Sequence, residues 1–230
     1  MYLDPFSVIH RMKKETPASI AVMFNPLGAG FRWAVELPRT GPGDTVLILG
    51  PGQRGLASVI AARAAGADKI IVTGLTRDRP KLDLAKQFGA DHVIDIEQEN
   101  ARKVVRELTD GHGADVVVEV SANAAEPVAE ALHYVATGGR IVLAGVKGFK
   151  SVPEFVSDLI VVKEITIIGA FGVTSRAYDA AIRLIESGRV PLERMHTHDF
   201  ALEDAEEAIR TLAGEGPGEA SIHSCLLPAK

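Results

Sequence analysis

The sequence predicts a doubly wound α/β fold, a parallel sheet of six strands, on three observations. Short Val/Ile-rich runs alternate with longer helical patterns from residue 46 onward. The runs are apolar without strict alternation, as strands buried on both faces are. The segments between them are long enough for the crossover helices that parallel pairing requires.

The elements follow in order. One helix is expected near residues 17–37, and "PRTGPGD" at 38–44 is the turn that feeds the first strand, "VLILG". The helix "GLASVIAARAAG" leads to the second strand, "KIIVTG". Pro80 fits the first turn of "RPKLDLAKQF" and Gly89 closes it. The strands "HVID" and "DVVVEV" come next, and the glycines at 138 and 139 are expected to end the helix containing "EPVAEALHYVA". "RIVLAG" and "ITIIGA" complete the sheet. Beyond residue 190 the pattern gives a helix at about 202–213, a loop "GEGPG" at 214–218 and a last strand "SIHSCLL". Residues 1–40 thus read as a lead-in, 41–190 as the main domain, and 191–230 as an added helix and strand. Neither end could form a core alone.

Composition narrows the function. The 230 residues carry a formal net charge of −5, with acids and bases mixed along the chain and no basic stripe to track a phosphate backbone. Nucleic acid is excluded as an expected partner. One cysteine, Cys225, cannot build a disulfide framework or a multi-cysteine zinc site, and it suits a reducing cytoplasm. No apolar run approaches a membrane-spanning length and no export signal is visible at the start, so a cytoplasmic protein without a membrane partner is expected.

The stretch "TVLILGPGQRGLA" at 45–57 places Gly50, Gly52 and Gly55 in G-x-G-x-x-G spacing, directly between a strand and a helix. Gly50 permits the tight turn, Gly52 lets a pyrophosphate approach the backbone, and Gly55 lets the helix pack near the strand. The helix N-terminus then offers unpaired N–H groups and a positive dipole end to the anion. Gln53 and Arg54, inside the same turn, join the candidate dinucleotide contacts.

A dinucleotide site also expects an acid at the end of the second strand for the adenosine ribose. Gly74 stands there instead, and the first carboxylate after it is Asp78, flanked by Arg77 and Arg79. A guanidinium can clamp a 2′-phosphate, which tilts the choice between NAD and NADP toward NADP. Asp78 could equally reach a 2′-hydroxyl, or simply start the next helix.

With those residues in hand, the chain resembles the later two-thirds of a zinc-type medium-chain alcohol dehydrogenase, the family of sorbitol and threonine dehydrogenases. "GPGDTVLILGPGQRGLA", "AARAAGADKIIVTG", "KLDLAKQFGADHVID", "GADVVVEVSAN", "ATGGRIVLAGV" and "HDFALEDAEEAI" fall in the family's order from about residue 17 to the end. The resemblance implies a Rossmann cofactor domain of strand order 3-2-1-4-5-6. It also implies hydride transfer between nicotinamide and a small alcohol or polyol. Ser121, Gly145 with Val146, and Ala170 with Phe171, in the loops after the fourth, fifth and sixth strands, would edge the nicotinamide.

Two departures limit that carry-over. The GroES-like domain that holds most of the family's zinc ligands is not expected in this chain, and the further ligand position, often glutamate in "EPL", reads "NPL" with Asn25. A neutral amide is a poor zinc ligand, so no zinc is expected and Asn25 reads as a local cap or packing residue. His196 and His198 in "HTHDF" are the remaining metal candidates. Glu119 and Lys147 look suited to acid/base work, yet no partner for either can be placed. No Tyr/Lys pair of short-chain dehydrogenases, Walker lysine or G-x-S-x-G elbow is present.

Two functions therefore stand side by side: the cofactor half of an alcohol dehydrogenase, and a nucleotide-binding or assembly module without turnover. A methyltransferase is disfavoured by Leu47–Leu49 in place of an acid before the turn. Finally, "EITIIGAFG" at 164–172 is β-branched, uncharged between Ile165 and Phe171, and by family topology an edge strand, which predicts a homodimer.

Overall fold

The structure, a computed structural model, describes residues 2–215 and 221–228. Among the described residues, eight strands divide between two sheets. The main sheet contains β1 (Thr45–Leu49), β2 (Lys69–Gly74), β3 (His92–Asp95), β4 (Ala114–Glu119), β5 (Val135–Leu143) and β6 (Thr166–Gly169). They are ordered β3-β2-β1-β4-β5-β6, every pair parallel. This is the order that the family resemblance implies. Strands β7 (His198–Ala201) and β8 (Ser224–Leu227) form a separate parallel pair.

Alternate residues of each central strand enter different cores, which explains why these runs are apolar throughout. Val46, Ile48, Ile70, Val72, Val116 and Val118 face one core with Leu27, Trp33 and Ile60. Leu47, Leu49, Ile71 and Val117 face the other with Val105, Ala131 and Leu132. Ile48 and Leu47 are fully buried, and each such side chain contributes about 1.5–3 kcal/mol.

Helices cover both faces. They are α1 (Ala18–Ala21), α2 (Phe24–Phe31), α3 (Gln53–Ala64), α4 (Arg79–Gln87), α5 (Ala101–Leu108), α6 (Glu126–Tyr134), α7 (Asp158–Val162), α8 (Ser175–Ser187) and α9 (Ala205–Ala213). The single helix expected over 17–37 is broken into α1, α2 and a π-helical turn at Arg32–Glu36. Its middle is core rather than appendage: Met23, Leu27, Ala29 and Ala34 are buried. A side chain at Gly30 would press on the Ala57–Ser58 backbone, so α2 and α3 pack main chain to main chain.

The glycine pair 138–139 does not end a helix. α6 stops at Tyr134, and Gly138 and Gly139 lie inside β5. The helix end is satisfied by a side chain instead: Lys163 Nζ donates to the carbonyls of Leu132 and Val135, each at 2.9 Å. In the expected loop at 214–218, Gly214 takes the left-handed conformation that closes α9, φ 78°, while residues 216–218 lie outside the described residues. The last strand is shorter than its apolar run, Ser224–Leu227.

Candidate functional site

The chain runs outward from β1 to β2 and β3, then returns to place β4 on the other side of β1. This reversal opens a crevice beyond the carboxyl ends of β1 and β4, the position where doubly wound sheets bind ligands. A cleft of about 480 Å³ lies there, floored by Leu49, Gly50 and Gly52 after β1, Thr73 and Gly74 of β2, and Val120 and Ser121 after β4.

Local chemistry explains the turn. Gly50 has φ 106°, a conformation that favours glycine, and its N–H donates to the Thr73 carbonyl at 3.2 Å. A side chain on Gly50 would also meet Ser121 Oγ at 2.9 Å. Gly55 sits against the Gly50 carbonyl, where any Cβ would overlap that oxygen. Gly52 differs. Its φ of −65° and ψ of 179° are ordinary extended backbone, and a Cβ there meets no atom within 4 Å. Space in front of Gly52 is left open at the N-terminus of α3, so the turn keeps a bare backbone facing the cleft. That arrangement suits a phosphate.

The candidate residues divide. Gly50, Gly52, Gly74, Arg77, Asp78 and Ser121 line the cleft. Arg54 stands over the Trp33 ring at 5.4 Å, and Gln53 begins α3 beside it. Arg79 pairs with Asp83 at 3.2 Å on the surface of α4. Asp78 is occupied locally: its carboxylate accepts from Lys81 Nζ at 3.0 Å and from the Leu75 N–H at 3.3 Å. Arg77 lines the cleft and forms no salt bridge among the described residues.

Gly145, Val146, Ala170 and Phe171 lie on the loops after β5 and β6, outside the cleft lining, with Val146 and Phe171 exposed. The Val146 carbonyl accepts from Asn123 N–H at 3.0 Å, linking the loops after β4 and β5.

Sequence reasoning missed several lining residues, including Ile96, Glu126, Glu130 and Tyr134. Glu130 accepts a bidentate bond from Arg102 at 2.6 and 2.9 Å, and that guanidinium lowers its pKa. The Tyr134 hydroxyl is pushed well above its ordinary range by burial and by Glu130.

The structure also supplies the partner that Glu119 and Lys147 lacked: each other. Lys147 Nζ donates to Glu119 Oε1 at 2.8 Å and to the Ser121 carbonyl, and Ser121 N–H donates to the same Oε1 at 2.8 Å. Glu119 is wholly buried, which raises its pKa against the opposing pull of Lys147. The pair ties together the loops after β4 and β5.

Asn25 makes a local contact. Its Nδ2 donates to the Tyr178 hydroxyl at 3.0 Å, between α2 and α8. His196 and His198 part company: His196 turns toward His223, whereas the His198 ring stacks on Phe200.

Comparison with known proteins agrees with this architecture. A family model for zinc-binding dehydrogenases matches residues 55–187. A probable alcohol dehydrogenase of Mycobacterium tuberculosis is 44% identical over 229 residues, covering 99% of this chain and 62% of that protein. The erythritol/L-threitol dehydrogenase of Mycolicibacterium smegmatis is 32% identical, covering 97% of this chain and 59% of its own length. A structure from Sinorhizobium meliloti bound to NADP, provisionally assigned as a zinc-binding dehydrogenase, superposes with a TM-score of 0.81 at 26% identity, covering 95% of this chain and 62% of that one. The chain therefore spans about three-fifths of the length of these relatives. Sheet order, glycine turn and matched family region together identify the chain as a member of the zinc-type medium-chain alcohol dehydrogenases, the zinc-binding dehydrogenase family.

Proposed function

We propose that this chain binds a nicotinamide dinucleotide across the β1/β4 crevice and is the cofactor-binding portion of an alcohol or polyol dehydrogenase. The observation that carries the reading is the open backbone at Gly52, set at the N-terminus of α3 on the floor of a cleft at the topological switch point. When bound, the nicotinamide would exchange hydride with a small secondary alcohol. The chain's own residues bind and orient. Backbone N–H groups after Gly50 hold the pyrophosphate, Gly74, packed tightly against Pro51 and Leu82, lines the adenosine side, and Ser121 edges the far side. Gly145, Val146, Ala170 and Phe171 border the nicotinamide end.

NADP is the favoured form, and Arg77 is the residue that selects it. Asp78 already accepts two local hydrogen bonds and Arg79 is paired with Asp83, which leaves Arg77 to meet a 2′-phosphate. The NADP-bound relative supports the same choice. A second reading, a nucleotide-binding module without turnover of its own, is favoured by Asn25: at the family's ligand position it offers a neutral amide, a poor replacement for a carboxylate on zinc. We further propose a cytoplasmic homodimer joined along β6. No helix among the described residues is long and apolar enough to cross a membrane.

Calorimetric titration with NADP and NAD tests the assignment. Binding by the unmodified chain and its loss in Gly52→Val are expected; equal affinity in both proteins would remove the glycine turn from the site.

A further inference from the structure

Away from the nucleotide cleft, where β8 meets the entry to β7, His196 converges with two side chains 27 and 29 residues further along the chain. His196, His223 and Cys225 each present one ligand atom, and these atoms all lie within 4.8 Å of one another. His196 Nδ1 is 3.0 Å from His223 Nδ1, and Cys225 Sγ is 4.0 Å from the same His223 nitrogen. We infer that they form a binding site for a zinc-class divalent transition metal, a departure from the metal-free chain that the sequence suggested.

Distances fit. An ion with metal–nitrogen bonds of about 2.0–2.1 Å and a metal–sulfur bond of about 2.3 Å holds tetrahedral ligand atoms roughly 3.3–3.6 Å apart. The His196–His223 and His223–Cys225 separations of 3.0 and 4.0 Å bracket that range, and the third pair, within 4.8 Å, closes by side-chain rotation toward the ion. Two imidazoles and a thiolate also have the softness that selects zinc, cobalt or copper over magnesium or calcium.

The surroundings prepare the ligands. His196 turns its other nitrogen, Nε2, to Asp199 Oδ1 at 3.0 Å, the carboxylate–histidine arrangement that fixes the tautomer of a metal-bound imidazole and leaves Nδ1 free to ligate. His223 and Cys225 are buried. Without an ion the two Nδ1 atoms compete for a single proton between them. With one, both lone pairs are used.

Binding balances simply. Cys225 loses its thiol proton to solvent as the sulfur–metal bond forms, and both imidazoles stay neutral with their protons on Nε2. One proton is released per ion and no redox change occurs. Water completes the fourth position. The ion would pin β8 to the residues preceding β7, a two-stranded sheet with little core of its own.

The test is cobalt titration of chelator-stripped, full-length chain, read by absorption. One equivalent should bind with a thiolate-to-cobalt charge-transfer band in the near ultraviolet, displaced by zinc. The band should vanish in Cys225→Ser. Asp199→Asn, on the surface, should weaken binding by about 10- to 100-fold with an unchanged far-ultraviolet spectrum. The site is overturned by any of three results: no stoichiometric cobalt, a band that persists in Cys225→Ser, or full affinity in Asp199→Asn. None of these outcomes depends on the nucleotide cleft.

Discussion

Lys147 reaches across the loops after β4 and β5 to place its ammonium 2.8 Å from the fully buried carboxylate of Glu119. The second carboxylate oxygen is buried without a partner, so the carboxylate is held through Oε1 alone, by Lys147 and the Ser121 N–H. Removing the lysine strands a charge. Lys147→Met should therefore cost about 3–5 kcal/mol in urea unfolding, and adding Glu119→Gln should recover part of it. A cost below 1 kcal/mol, on the order of an exposed pair, would show that the carboxylate is not confined.

Glu119 also sets a pH slope. Its folded pKa is raised, chiefly by burial, so between the ordinary carboxylate value and the folded value the native state holds more protons than the unfolded chain. This contribution makes stability fall as pH rises through that window and then level off. Urea midpoints measured across the window should show the fall flattened in Glu119→Gln relative to the unmodified chain. A slope identical in the two proteins would rule the carboxyl out as its source.

Gly52 and Gly55 should separate binding from folding. Gly52 has ordinary dihedrals and open space, so Gly52→Val should melt close to the unmodified chain while losing dinucleotide affinity. A Cβ at Gly55 collides with the Gly50 carbonyl, so Gly55→Val should destabilise the fold by about 1–3 kcal/mol or more. Equal melting of the two variants would place the turn's constraint elsewhere.

The central strands could be read because double burial makes their sequences continuously apolar, and the glycine turn because its spacing is local. What could not be read depends on contacts that only the folded chain creates. Lys163 caps α6 from 28 residues beyond Val135, which frees Gly138 and Gly139 to sit in β5. Glu119 meets Lys147, and His196 meets His223, across separations of 28 and 27 residues with no periodic signal. Asp78 was legible as a residue but not as a role, since its two competing uses differ only in where its carboxylate points.

The two arginines near the end of β2 should differ in effect. Arg77 lines the cleft, whereas Arg79 is exposed and paired with Asp83. A lost charge-assisted bond to a 2′-phosphate is worth about 1.5–3 kcal/mol, or roughly tenfold and more in affinity. Arg77→Ala should lower NADP affinity by that factor and leave NAD binding nearly unchanged; Arg79→Ala should alter neither. Calorimetry showing the reverse order would move the phosphate toward α4.

The outer edge of β6 is the last point that a single substitution can test. Its Ala170 neighbour donates its N–H inward to the Leu143 carbonyl at 2.9 Å, and because N–H directions alternate along a strand, the Ile167 N–H points to the free edge. Val161 and Val162, in the helix that precedes β6, and Phe171, just after it, are exposed, with fractional exposures of 77%, 77% and 91%. An unpaired donor row beside apolar side chains matches a second copy of the same edge under two-fold symmetry. Ile167→Pro removes the outward donor while sparing the inward ladder to β5, and Ile167→Val keeps the donor as a control. Light scattering at micromolar concentration should give a dimer for the unmodified chain and for Ile167→Val, and a monomer for Ile167→Pro. A monomeric unmodified chain, or a proline variant that remains dimeric, would exclude pairing through this strand.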